Sequence, residues 1–122
     1  MDNHEIINRY FEYVNSHRWD DYLTLFADDI VMDEQLMGHV EGIDHLRKSI
    51  EALRNNPGFQ NRPREIVVEG DRAMATWHIT APLPDGSKLE VDGANFYRLR
   101  DGKIAYFSNY HDTAPFRSIV GH

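Results

Sequence analysis

The sequence predicts an α+β fold: a curved antiparallel sheet wrapped around helices to form a cone with an internal cavity. Three observations carry that expectation. Apolar residues recur at helical spacing through the N-terminal half, strand-like segments fill the chain from Arg64 onward, and short Gly- and Asp-containing turns separate those segments. Helices first and an antiparallel meander second is the α+β order. A curved antiparallel sheet leaves a concave face, and helices packed along one side close it. Small molecules bind in apolar concavities of this kind.

The elements follow in order. Ile6, Ile7, Tyr10, Phe11 and Val14 mark one face of a first helix, with Asp2 and Glu5 as a capping box at its start. Trp19, Tyr22, Leu23, Leu25 and Phe26 mark a second, shorter helix, and Asp20 and Asp21 fall in its first turn, where the helix dipole favours negative charge. Ile30-Val31-Met32 reads as a short strand, and Gly38 to Gly42 as the loop that closes it. Ile43, Leu46, Ile50 and Leu53 define a third helix that ends at Asn55-Asn56-Pro57-Gly58. Gln60 to Pro63 is read as a polar connection. Ile66 to Val68, Ala73 to Ala81, Leu89 to Leu99 and Ile104 to Tyr110 are the strands. Gly70-Asp71, Pro84-Asp85-Gly86 and Asp101-Gly102 are their hairpin turns.

Composition narrows the function classes. A chain of 122 residues reads as one domain spanning 1–122, and about two-thirds of its surface is expected to be buried. The 13 basic against 20 acidic residues, a net charge of −7, argue against nucleic acid as a partner. Zero cysteines exclude a disulfide framework, a thiolate metal site and a thiol nucleophile. The seven histidines show no paired metal-ligand spacing, so neither metal nor cofactor is expected. Neither a signal peptide nor a membrane span is legible, and the expected setting is the cytoplasm.

Phe26-Ala27-Asp28-Asp29-Ile30-Val31-Met32-Asp33-Glu34 resembles the helix-two end and first strand of the nuclear-transport-factor-2-like superfamily. That superfamily includes SnoaL-like polyketide cyclases and ketosteroid isomerases. Val40-Glu41-Gly42-Ile43 resembles its Gly-led third helix, and Asp101-Gly102-Lys103-Ile104 its last hairpin. Tyr110 to Phe116, with Gly121 behind, is similar to its closing strand and tail.

The resemblance implies specific roles. Glu34 falls where ketosteroid isomerases keep a general-base aspartate, Tyr10 where they keep an oxyanion-hole tyrosine, and Asn95 where a protonated acid gives a second hydrogen bond. Asp112 matches the general acid/base aspartate of SnoaL-like cyclases. A carboxylate in an apolar cavity has its pKa raised, which suits it to abstracting a proton from carbon. Val14, Met32, Met37, His78 and Phe107 are the expected ligand-lining residues.

Each site residue also has a plainer reading. Tyr10 fits a core aromatic, Asn95 a residue satisfying buried backbone, and Asp112 a cap for the tail. Asp33 and Glu34 fit a solvated strand end, and His78 a satisfied strand histidine. Strand alternation allows Tyr110 with Asp112, or Asn109 with His111, to face inward, and the resemblance favours Asp112.

The expected activity is isomerase- or cyclase-type proton transfer on a small apolar carbonyl compound. A non-catalytic ligand-binding or dimerisation domain is the alternative, and a dehydratase using His78 and His111 a further one. The expected partners are a small apolar molecule in the cavity and a second copy packed through the sheet, with no membrane.

Overall fold

The Asp2 carboxylate accepts a hydrogen bond from the Glu5 N–H at 2.8 Å and so starts α1 (Asn3–Asn15). Its buried stripe is the set read from periodicity: Ile6, Ile7, Tyr10, Phe11 and Val14. The computed structural model describes residues 1–116, so Gly121 lies outside the described residues. The second helix, α2 (Trp19–Leu23), is a single short turn-and-a-half, and the chain is already extended at Phe26. Strand β1 (Phe26–Glu34) is thus longer than the Ile30–Met32 core that its β-branched residues marked. The expected loop after it forms a further strand, β2 (Gly38–Glu41), paired antiparallel with β1. Helix α3 (Ile43–Arg54) buries Leu46 and Ile50 and stops before Pro57.

The second half is a meander of four strands: β3 (Gln60–Glu69), β4 (Arg72–Pro82), β5 (Lys88–Arg100) and β6 (Lys103–His111). Strand β3 starts six residues before the expected Ile66, through Pro63. A proline is tolerated there because β3 is a sheet edge and its register shifts between Pro63 and Glu65. The last hairpin turns on Asp101 and Gly102, with φ of 53° and 76°, the left-handed pair that a tight two-residue turn requires.

The sheet order is β2-β1-β6-β5-β4-β3. One pairing departs from the antiparallel expectation: β1 and β6 run parallel, because the chain crosses from one end of the sheet to the other through α3. The fold is α+β, with a curved six-stranded sheet. Its concave face carries the core, in which Ile30, Tyr97, Ile104, Ile6, Ile7 and Ile50 are almost fully buried. Among the described residues no helix is long and apolar enough to cross a membrane.

Candidate active site

Alternation along the strands decides what faces inward. On β5, Leu89, Val91, Asn95, Tyr97 and Leu99 are buried, while Glu90, Asp92, Arg98 and Arg100 are exposed. Register then carries the inner face across the sheet: Gly93 pairs with His111, Asn95 with Asn109, and Tyr97 with Phe107. On β1 the inward set is Ile30, Met32 and Glu34. Between this surface and α1, α2 and α3 lies a cavity of about 210 Å³. Tyr10, Val14, Met32, Glu34, Asn95 and Phe107 line it, as the sequence suggested.

Gly93 shapes one wall. A Cβ there would come within 2.4 Å of the Trp77 ring, so glycine lets the indole lie across the strand. The Trp77 ring centroid stands 6.0 Å from that of His111.

Glu34 is the carboxylate of the cavity. Burial raises its pKa above the ordinary glutamate value, and the nearby His111 offsets part of that rise. His111 Nδ1 lies 2.8 Å from the Asp112 carbonyl oxygen. A carbonyl only accepts, so Nδ1 carries a proton in this contact. Asn109 Oδ1 accepts from the Gln35 N–H at 2.9 Å and ties the end of β1 to β6 beside Glu34.

Above them is a group of phenols. Burial pushes the Tyr10 hydroxyl up to about 12, and the polar groups of Tyr22, Asn95 and Tyr97 pull it part-way back. Tyr22 and Tyr97 are also raised well above the ordinary value, first by burial. All three therefore stay protonated at neutral pH and can donate. Asn95 is 2% exposed, and its Nδ2 donates to the Tyr97 hydroxyl at 2.8 Å. Asn95 thus lines the cavity, and its donor goes to a buried phenol rather than to backbone.

Three expected site residues stand elsewhere. Asp112 is exposed, and its carboxylate accepts from the Ala114 N–H at 3.0 Å, the capping role. It shares its side of the chain with exposed Tyr110, whereas Asn109 and His111 line the cavity. His78 pairs across the strands with Asp92, its Nδ1 2.8 Å from the carboxylate, on the convex face. His78 and His111 therefore sit on opposite faces of the sheet and cannot share a ligand, which removes the two-histidine dehydratase arrangement. Met37 is 62% exposed and lines a separate pocket of about 190 Å³ that shares only Glu34 and Ser49 with the cavity. No sequence signal marked Asn61 as a lining residue, because Gln60 to Pro63 reads as a polar connection.

Residues 7–107 match the family model of the SnoaL-like domain. No curated protein matches the chain. Among solved structures, it is similar to an NTF2-like protein of unknown function from Exiguobacterium sp. 255-15, at 28% identity and a TM-score of 0.77, covering 88% of this chain and 98% of that one. TerC, co-crystallised with polyporic acid, matches at 19% identity and a TM-score of 0.83, with 98% of both chains covered. A proposed polyketide cyclase from Pseudomonas putida KT2440 matches at 21% and 0.80, covering 95% of this chain and 96% of that one.

Proposed function

Because the chain belongs to the SnoaL-like domain family, we propose that its cavity performs general acid/base proton transfer on a small apolar carbonyl compound, as an isomerase or cyclase. The observation that carries this reading is Glu34: a carboxylate lining an apolar cavity, its pKa raised by burial, opposite protonated phenols. Glu34 takes a proton from the carbon next to the carbonyl. The Tyr10 hydroxyl donates to the oxygen as negative charge develops there, and one such donor contributes roughly two to three powers of ten in rate. Asn95 acts through Tyr97, whose hydroxyl it holds at 2.8 Å, and shares the polar surroundings of Tyr10. His111, which lines the cavity beside Glu34, takes the second acid/base place that the resemblance gave to Asp112. The similar proteins, one named for polyketide cyclisation and one co-crystallised with polyporic acid, support a small organic ligand in the cavity.

Deuterium exchange at the α-carbon of small ketones tests the assignment. Wild type should catalyse it, and Glu34→Gln should lose about two to four powers of ten. Equal exchange in both proteins would overturn Glu34 as the base. Ligand binding with no exchange in wild type would leave a binding domain.

The partner we propose for the convex face is a second copy of the chain, and the setting is the cytoplasm. Val67, Met74 and Phe96 form one cross-strand row, with Val67 65% and Met74 47% exposed and Tyr110 beside them. Along β5 the outward charges change sign, from Arg98 at one end to Asp92 and Glu90 at the other. A two-fold axis in the face, running across the strands, sets Arg98 of each copy over the acidic end of its mate.

A further inference from the structure

The inner surface of the sheet does not stop where the cavity does. On β4 the buried inward positions include Trp77, Ile79 and Ala81, each two residues from the next. Trp77 and Ile79 line the cavity, and Ala81 lines a groove of about 590 Å³ beside it. Helix α3 makes the same transition. Ser49, Ile50 and Leu53 line the cavity, and Ala52, Leu53 and Asn56 line the groove. Ser49, Leu53 and Asn56 lie four and three residues apart, so they form one stripe, about 10 Å long at the rise of a helix. A strand and a helix thus carry the same surface from one space into the other.

Leu53, Phe59 and Phe116 line both spaces, and all three are half-buried. The Phe116 ring centroid is 5.0 Å from that of His111, so this boundary lies one ring from the histidine of the cavity. The groove has a firm frame. Ala81 pairs with Leu89 at its base, and both are buried. Its rim is the β4–β5 turn, where the Leu83 N–H donates to the Ser87 carbonyl at 2.9 Å and the Gly86 N–H to the Leu83 carbonyl at 3.0 Å. The connection after α3 packs directly on that turn: a Cβ at Gly58 would come within 2.6 Å of the Pro82 ring. Apolar side chains left half-exposed around a concavity mark a place for an apolar ligand.

We propose that the groove receives an alkyl chain of the same ligand whose carbonyl lies in the cavity. Continuity assigns it to that ligand: two elements run through both spaces, and three side chains are common to their walls. Those side chains stand at the junction, so the part of the ligand that crosses it is slender, a polymethylene chain rather than a ring. The cavity houses the head, since roughly 150 Å³ takes benzene and this space is about 210 Å³. The ligand class is a medium-chain aliphatic carbonyl compound. This rests on the cavity being the ligand site described above, but not on Glu34 acting as a base, because Glu34 lines the cavity and not the groove.

The probes are 2-pentanone and 2-decanone. Leucine methyl signals in a ¹³C-correlated NMR spectrum separate the two spaces, because Leu46 lines the cavity alone and Leu83 and Leu89 the groove alone. Of these three, 2-pentanone should shift only Leu46, and 2-decanone should shift all of them. Each buried methylene is worth about fourfold in affinity, so 2-decanone should bind roughly a hundredfold more tightly. Leu83→Lys sets a charge in the groove, and Ala52→Trp fills it from α3. Each should cut the advantage to about tenfold or less, with 2-pentanone affinity kept within about twofold. Glu34→Gln should keep the advantage. Unmoved Leu83 and Leu89 signals, equal affinities, no binding of either ketone, or an undiminished advantage in both groove variants would overturn the proposal. So would an advantage seen only when Ile119→Asn and Val120→Asn are combined, which would give the groove to that segment of the chain. The full advantage in a protein that exchanges no α-proton would overturn the catalytic reading and leave the groove standing. Intact exchange with no advantage would do the reverse.

Discussion

Asp33 and Glu34 are neighbours in sequence and opposites in chemistry. Asp33 points to the convex face, where it accepts from the Tyr106 hydroxyl at 2.6 Å and lies 2.7 Å from His39 Nδ1. The Tyr106 hydroxyl first, and then His39, hold its carboxyl below the ordinary aspartate range. Glu34, one residue on, enters the cavity and is raised by burial. The same contrast runs across the whole sheet. Outward polar groups satisfy one another, as His78, Asp92 and Arg64 do, whereas Glu34 and the phenols of Tyr10, Tyr22 and Tyr97 are desolvated. A group whose hydrogen bonds are already made is spent on structure. A carboxylate held dry at the cavity wall, as Glu34 is, is available to a ligand.

Exchanging the two carboxylates for amides should separate the faces most sharply. Glu34→Gln should lower α-proton exchange by about two to four powers of ten, while Asp33→Asn should change it by less than about twofold. Comparable losses in both would break the contrast. Tyr10→Phe is next, at roughly a hundredfold or more in kcat, because it deletes a donor that works only as charge develops. His78→Gln, on the convex face, is its control.

The pH dependence of stability should have opposite signs at the two neighbours. Glu34 is raised in the folded state, so the folded chain holds that proton more tightly than the unfolded chain. Its burial penalty is absent below its ordinary value of 4.5 and grows as pH rises through the folded value. Glu34→Gln should therefore raise Tm near neutral pH and converge with wild type at about pH 4. Asp33 is lowered, so it stabilises above its ordinary value of 3.8, and that contribution fades as pH falls through the folded value. Asp33→Asn should lower Tm near neutral pH. A parallel Tm–pH profile for the two variants would contradict the assignment of faces.

The convex face gives a smaller, structural prediction. Met74→Glu sits in the centre of the exposed row opposite Phe96 and leaves the cavity untouched. If the face joins two copies, the variant should sediment as a monomer, with Tm lowered by several degrees and exchange activity per chain largely kept. A wild type that is monomeric at micromolar concentration would remove the dimer.

Much of the architecture was legible because it follows from local periodicity. The five apolar positions of α1, the cap at Asp2, the end of α3 and the hairpin turns need only near neighbours in the chain to specify them. Strand limits were less legible. Strand β2 and the first half of β3 are polar, and pairing with β1 and β4, rather than their own composition, extends them. Six of the expected lining residues were found from helix and strand faces together with the resemblance. Asn61 was not, since its place on the cavity follows from pairing with β4 and leaves no trace in the spacing of its polar neighbours.

Asp112 shows what the sequence already contained. Phe107 was expected to line the cavity, and period-two alternation along a strand carries that face to Asn109 and His111. Phe107 and Asp112 differ in parity and cannot both point inward from one regular strand. The structure keeps the alternation through His111, and the chain leaves the sheet there, with Asp112 turned to cap the short helix Ala114–Phe116. Asp112→Asn preserves an acceptor for the Ala114 N–H, so exchange activity and Tm should both stay within error of wild type. This is the smallest effect expected, yet it is decisive for the closing strand. A loss of tenfold or more in Asp112→Asn, with His111→Gln unaffected, would mean that the strand turns over before its end and that the acid/base group is the one the family resemblance named.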